Sequence, residues 1–86
     1  MIQVGDSVIA LRGDGEQVGL VFRVDDVSSD VYPERKVFSV RFPIDTEHHA
    51  TFVWNEGNYW KLPDKYRFFT SIKKIMRHEE LLWTED

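Results

Sequence analysis

The chain has 86 residues, a formal net charge of −4 and no cysteine. This length predicts one domain spanning residues 1–86, with a modest core that leaves little room for a deep catalytic cleft. The absence of cysteine excludes disulfides and thiolate metal sites, and the acidic balance disfavours a general phosphate binder, whose affinity comes from Lys and Arg.

The ends and the apolar runs of the chain bear on localisation. Residues 1–6 lack the charged and apolar regions of a signal peptide. No apolar run approaches the roughly 20 residues that a membrane-spanning helix needs. We therefore expect a soluble, cytoplasmic protein with no membrane partner.

The first elements along the chain predict a β-hairpin. Two β-rich runs, Asp6–Arg12 and Gly19–Asp25, flank the segment Gly13–Glu16, whose Gly and Asp residues favour a turn. Gly19 opens the second run, where a missing side chain is typical of a bulge. We expect Val8 and Val21 to be buried.

A second hairpin is predicted in the middle of the chain. The acidic segment 25–35 is interpreted as a solvated loop, with a contact surface for a basic partner as the alternative. Lys36–Phe42 alternates apolar and polar residues, and His49–Trp54 returns as its partner strand. Their core residues are expected to include Phe38, Val40 and Phe52.

The last third of the chain predicts a loop, a strand and a helix. Residues 55–64 contain Asn, Gly and Pro and are interpreted as a loop, and Tyr66–Phe69 as a short closing strand. From Thr70 onward, apolar residues recur at helical spacing, which predicts an amphipathic C-terminal helix. The residues expected to pack this helix onto the core are Ile72, Ile75, Met76 and Leu82.

These elements predict a mainly β fold: an SH3-like, small antiparallel barrel of about five strands with a C-terminal α-helix. The pattern Gly5-Asp6-x-Val8, followed after a turn by Gly19-x-Val21, resembles the start of KOW and Tudor-type barrels. The later segment Tyr32-Pro33 with Phe38–Phe42 resembles the small barrel subunits of photosynthetic and ferredoxin-linked electron-transfer complexes. Both resemblances cover the first half of the chain and imply a fold more than an activity.

The sequence favours no catalytic function. The Gly-rich turn before Gly19 resembles that of MazF-type ribonuclease toxins, a resemblance that implies an Arg-Pro pair after the glycine. Leu20 and Val21 stand there instead, so the catalytic arginine has no counterpart and a ribonuclease is disfavoured. No Ser or Thr has a base and an orienting group nearby in sequence. We expect a protein that is not an enzyme and needs no cofactor.

A metal site near the second hairpin is also disfavoured. Glu47 and His49 share one face of the predicted strand, while His48 faces the other way. Two ligands fall short of the three or four that a zinc site takes, and His78 would have to complete it from the C-terminal segment. A polar hairpin end is the preferred interpretation.

An aromatic stretch is the leading candidate for a binding site. Tyr and Trp are interleaved there with polar and charged residues, as in many interaction surfaces. Three uses stay open: core packing, a protein-binding patch, or a Tudor-like cage in which Glu56, Tyr59 and Trp60 hold a cation. The candidate binding residues are Trp54, Glu56, Tyr59, Trp60, Lys61, Lys65 and Tyr66.

The predicted function is therefore that of a small binding module, an adaptor or inhibitor that contacts a larger protein. The alternative is a KOW-like accessory domain that binds nucleic acid, because basic residues follow the aromatic stretch. The residues expected to contact nucleic acid in that case are Lys61, Lys65, Arg67, Lys73, Lys74 and Arg77.

Overall fold

Seven antiparallel strands form the fold in the computed structural model, which describes residues 2–27, 37–43, 47–64, 67 and 69–85. Each strand pairs with the next, and the first also pairs with the sixth, so six strands close a barrel and the seventh extends it. The fold is thus a small all-β antiparallel barrel, compatible at this level with an SH3-like architecture. In chain order the strands are β1 (Ser7–Leu11), β2 (Gln17–Val27), β3 (Val37–Arg41), β4 (His49–Asn55), β5 (Asn58–Lys61), β6 (Ser71–Arg77) and β7 (Glu80–Thr84).

The structure confirms both predicted hairpins. The β1–β2 turn is fixed by the N–H of Arg12, which donates to the carbonyl of Glu16 at 2.8 Å, and by Gly15, which adopts a φ of 87°. Strands β3 and β4 pair in an unbroken register. The β1–β2 register shifts opposite residues 17–21, the stretch that contains Gly19.

The core lies inside the barrel and is rich in aromatic rings. Phe22 packs against Phe42 and Phe69, with ring centroids 5.5 and 5.0 Å away. Phe38 stacks on Phe52, its cross-strand partner, at 5.6 Å. Burial of these rings supplies the apolar area that an 86-residue chain needs to fold without disulfides.

One predicted core residue is wrong. Val8, Phe38, Val40 and Phe52 are buried as expected, but Val21 is 46% exposed. In β2 the buried residues are Val18, Phe22 and Val24, and Leu20 is partly buried against the core. Because side chains of a strand alternate between its two faces, the neighbour of an inward Phe22 must point outward.

The predicted C-terminal helix is also wrong. Its residues form β6 and β7, which are joined by a tight turn with His78 at a φ of 56°. No helix occurs anywhere in the described ranges. Ile72 and Ile75 are nonetheless core residues, while Met76 and Leu82 are partly buried. The sequence thus predicted a buried face here, but on the wrong kind of element.

A β-bulge explains the error. Ile9 of β1 pairs with Lys74, whereas the next residue, Ala10, pairs with Ile72. Lys73 is therefore an extra residue in β6, and it shifts the two-residue period of the strand by one. Ile72 and Ile75 consequently both reach the core although they are three residues apart, a spacing that imitates a helix.

The segment interpreted as a loop, residues 55–64, contains a strand. β4 and β5 are joined by a two-residue turn in which Glu56 and Gly57 have φ values of 49° and 88°. Two successive positive φ values are those of a type I′ hairpin turn. Of the predicted closing strand, Tyr66–Phe69, residues 66 and 68 lie outside the described residues, and Arg67 and Phe69 belong to no strand. Most of the acidic segment 25–35 also lies outside them, and its first three residues belong to β2 rather than to a loop. Phe69 itself is fully buried.

Candidate functional site

The β4–β5 hairpin carries five of the candidate binding residues, and their side chains point in different directions. Tyr59 is buried, Trp54 is partly buried, and Trp60 is 47% exposed on the opposite side of β5. Glu56 lies exposed in the turn. Tyr59 and Trp60 thus face opposite sides of one strand and do not combine with Glu56 into a cage. Lys65 and Tyr66 lie outside the described residues.

Three aromatic rings close one part of the barrel interior. Tyr59 contacts Trp54 at 4.8 Å and Trp83 at 5.1 Å, and the two tryptophans are 5.9 Å apart, all edge to face. Rings at these centroid distances touch one another and leave no room for a cation between them. Burial raises the pKa of Tyr59 to about 12. This cluster is packing, the first of the three uses that the sequence left open.

Trp83 belongs to this cluster but was not a sequence candidate. It lies on β7 opposite Ile75, a core residue of β6. A helix over this region, as the sequence predicts, has no cross-strand partners, so the pairing of Trp83 with Ile75 was missed. The turn consists of His78 and Glu79, between the paired residues Arg77 and Glu80, and it lacks the Asn, Asp or Gly that usually indicates a hairpin turn in a sequence.

The outer side of the sheet presents an apolar strip that we call the Trp60 surface, formed by Val53, Trp60 and Leu62. Val53 and Trp60 are direct cross-strand partners on β4 and β5. Leu62, two residues after Trp60, is 46% exposed, and its backbone N–H donates to the carbonyl of Thr51 at 2.8 Å. The indole N–H of Trp60 donates to the carbonyl of Asn55 at 3.2 Å. Backbone pairing and this bond orient an exposed indole on a rigid sheet.

Lys61 does not belong to the rim of this surface. Its side chain is only 5% exposed, and its Nζ donates to Asp64 Oδ1 at 2.6 Å and to the carbonyl of Leu62 at 3.3 Å. The same Nζ lies 5.4 Å from the centre of the Phe69 ring. Lys61 is thus an internal ion-pair partner of Asp64.

The basic residues proposed for nucleic acid are mostly engaged elsewhere. Arg77 holds Asp6 through two parallel hydrogen bonds of 2.9 and 3.1 Å, and Lys73 lies 3.5 Å from Glu85. Lys74 is half-buried and Arg67 is exposed. Lys61, Lys73 and Arg77 therefore each have an acidic partner, which offsets the positive charge that phosphate contacts require.

The histidines of the second hairpin do not build a metal centre within the described part of the chain. No group of three His, Asp or Glu side chains comes together there as metal ligands would. His49 instead meets a carboxylate, with its Nδ1 2.5 Å from Asp25 Oδ2. Sequence reasoning missed Asp25 because the partners are 24 positions apart.

Comparison with known proteins adds no relative. No family model, curated protein or solved structure matches the chain. Over the described residues, no helix has the length and apolar character needed to span a membrane.

Proposed function

We propose that this protein is a small non-enzymatic binding module that contacts a larger protein through the Trp60 surface. The observation that carries the proposal is Trp60 itself, a large aromatic side chain left 47% exposed on the outer face of a paired strand. Tryptophan is among the residue types that contribute most to protein–protein binding, because it buries a large area at little entropic cost.

The surroundings of Trp60 support a protein partner. Val53 and Leu62 extend the apolar strip, and Asn55 and Glu56 lie nearby as exposed polar residues. An apolar centre with a polar margin is the usual anatomy of an interface. The backbone here is hydrogen-bonded, so little ordering entropy opposes docking. The likeness of the first half of the chain to small barrel subunits of electron-transfer complexes supports the same role, that of an accessory partner.

The nucleic-acid alternative has weaker support, because three of its six proposed contacts are in ion pairs. Titration with labelled single- and double-stranded RNA and DNA distinguishes the protein-binding function from the nucleic-acid-binding one. Micromolar binding that falls steeply with salt would favour a KOW-like role, since phosphate contacts release counterions. The proposed protein-binding role predicts no such binding.

Trp60→Ala tests the protein-binding proposal. We expect the variant to weaken the complex by about 2 kcal/mol or more, roughly a thirtyfold loss in affinity, because the anchor of the interface is removed. The measurement is affinity capture of the partner, followed by titration of the purified pair.

Val21→Ala is the matched control for this experiment. Val21 is exposed to a similar degree, 46%, but lies on β2. We expect this variant to bind as the unaltered chain does. Equal loss of binding in both variants, or full binding by a folded Trp60→Ala protein, would contradict the proposal.

A further inference from the structure

A row of basic side chains crosses three adjacent strands at one end of the barrel. Arg23 of β2 pairs directly with Arg41 of β3, and Arg41 pairs directly with His49 of β4. Direct cross-strand partners project to the same side of a sheet. All three residues are exposed. The row is therefore a basic patch on the outer surface of a chain whose net charge is −4.

One carboxylate, that of Asp25, contacts two residues of the row, Arg41 and His49. Asp25 is the extra residue of a β-bulge, because Val24 pairs with Val40 while Asp26 pairs with Ser39. The Asp25 side chain is only 17% exposed, and its Oδ2 lies 2.5 Å from Nδ1 of His49 and 3.6 Å from Nε of Arg41. Asp25 thus holds the Nδ1 edge of the imidazole and the Nε edge of the guanidinium.

The side-chain nitrogens of Arg41 and His49 that Asp25 does not contact, Nη1 and Nη2 of Arg41 and Nε2 of His49, can bind another acceptor. Among the described residues, Asp25 is the single carboxylate in ion-pair contact with Arg41 or His49. Arg23 donates through Nη1 to Ser7 Oγ at 2.9 Å and to the carbonyl of Gly5 at 3.3 Å, and both of these acceptors are neutral. The Asp25 carboxylate therefore contacts only one of the two guanidinium groups, that of Arg41.

This arrangement is electrostatically unfavourable without a further anion. Like charges placed directly opposite each other on neighbouring strands destabilise a sheet. Arg23 and Arg41 occupy such positions, and Asp25 offsets only one of the two charges. A bound dianion would remove the repulsion, and the planar forks of arginine suit the oxygens of a phosphate.

We propose that Arg23, Arg41 and His49 form a binding site for a phosphate monoester, with Asp25 as the residue that positions Arg41 and His49. The guanidinium groups contribute charge-assisted hydrogen bonds, and Nε2 is the ring nitrogen of His49 that Asp25 does not contact. The site shares no residue with the Trp60 surface and stands independently of the proposed protein-binding function.

The test uses inorganic phosphate and phenyl phosphate as probes, with dimethyl phosphate as the diester. Side-chain ¹⁵N signals of His49 and the arginines are followed by NMR at constant ionic strength. We expect saturable shifts with the two monoester-type anions and weaker binding of the diester, which carries one negative charge. Arg41→Gln is expected to bind about tenfold more weakly, the loss of a charge-assisted hydrogen bond, and Arg23→Gln to weaken binding as well.

Arg12→Gln is the matched control. The Arg12 side chain is 52% exposed against 51% for Arg41, and each pairs with one aspartate, Asp14 for Arg12. We expect Arg12→Gln and Trp60→Ala to bind phosphate normally. Shifts that rise linearly without saturation, or equal affinity in the Arg12 and Arg41 variants, would overturn the site. Equal affinity for the diester would overturn the preference for monoesters.

Discussion

Tyr59→Ala is expected to lower the free energy of unfolding by about 3–5 kcal/mol, the usual cost of truncating a buried aromatic residue. The Tyr59 ring is 2% exposed and contacts Phe38, Trp54 and Trp83 at centroid distances of 5.2, 4.8 and 5.1 Å. Its removal leaves a cavity bordered by three rings that cannot all collapse into it. Urea or thermal unfolding followed by circular dichroism measures the change.

The adjacent residue is the control for this prediction. Trp60 is a larger side chain, but it lies on the outer face of β5 and already contacts solvent. Trp60→Ala should therefore lower the free energy of unfolding by about 1 kcal/mol or less, as surface substitutions usually do. A larger loss from Trp60→Ala than from Tyr59→Ala would show that the orientation of β5 is reversed.

Arg77→Ala is expected to lower the free energy of unfolding, because it removes the ion-pair partner of the buried Asp6 carboxylate. The Asp6 side chain is 2% exposed and accepts two hydrogen bonds from Arg77 and one from the backbone N–H of Gln3 at 2.8 Å. Asp6→Asn should cost less than Arg77→Ala, since the Arg77 side chain is 30% exposed and water can solvate it. Equal unfolding midpoints for the two variants would contradict this asymmetry.

The same ion pair predicts how stability depends on pH. Burial alone favours the neutral acid and raises the pKa of Asp6, but the hydrogen bonds from Arg77 and from Gln3 outweigh it. The pKa of Asp6 in the folded protein therefore lies below its ordinary value of 3.8. The stabilisation is complete above pH 3.8 and is lost as the pH falls through the folded-state pKa. Arg77→Ala should remove this part of the acid dependence.

The β1–β2 and β3–β4 hairpins were predictable because their sequence signals are local. Gly and Asp residues cluster between two β-rich runs, and Phe38, Val40 and Phe52 follow the period of a strand. These features determine the hairpins without reference to the rest of the chain. The antiparallel barrel followed from them, although six strands close it rather than about five.

Strands β5, β6 and β7 were not predictable, because β-bulges and pairs of residues far apart in the sequence determine them. An extra residue, Lys73, gives β6 a three-residue spacing that is indistinguishable from a helical stripe in a single sequence. The turn at Glu56-Gly57 is a hairpin signal, but the surrounding Asn and Pro residues indicated a loop.

The candidate site was likewise predictable only in part. The sequence placed aromatic residues in one stretch but could not separate Tyr59, which faces the core, from Trp60, which faces outward. That distinction depends on the register of β5 against β4. The ion pair between Asp6 and Arg77 joins residues 71 positions apart and likewise has no local signal.

Site-specific photo-crosslinking tests the proposed role of the Trp60 surface most directly. A p-benzoylphenylalanine side chain is introduced at position 60 and, in a second protein, at position 21, and both are irradiated in the cells that produce the chain. Our account predicts one discrete adduct with a larger protein from position 60 and none from position 21. No adduct from position 60, or the same adduct from both positions, would contradict it.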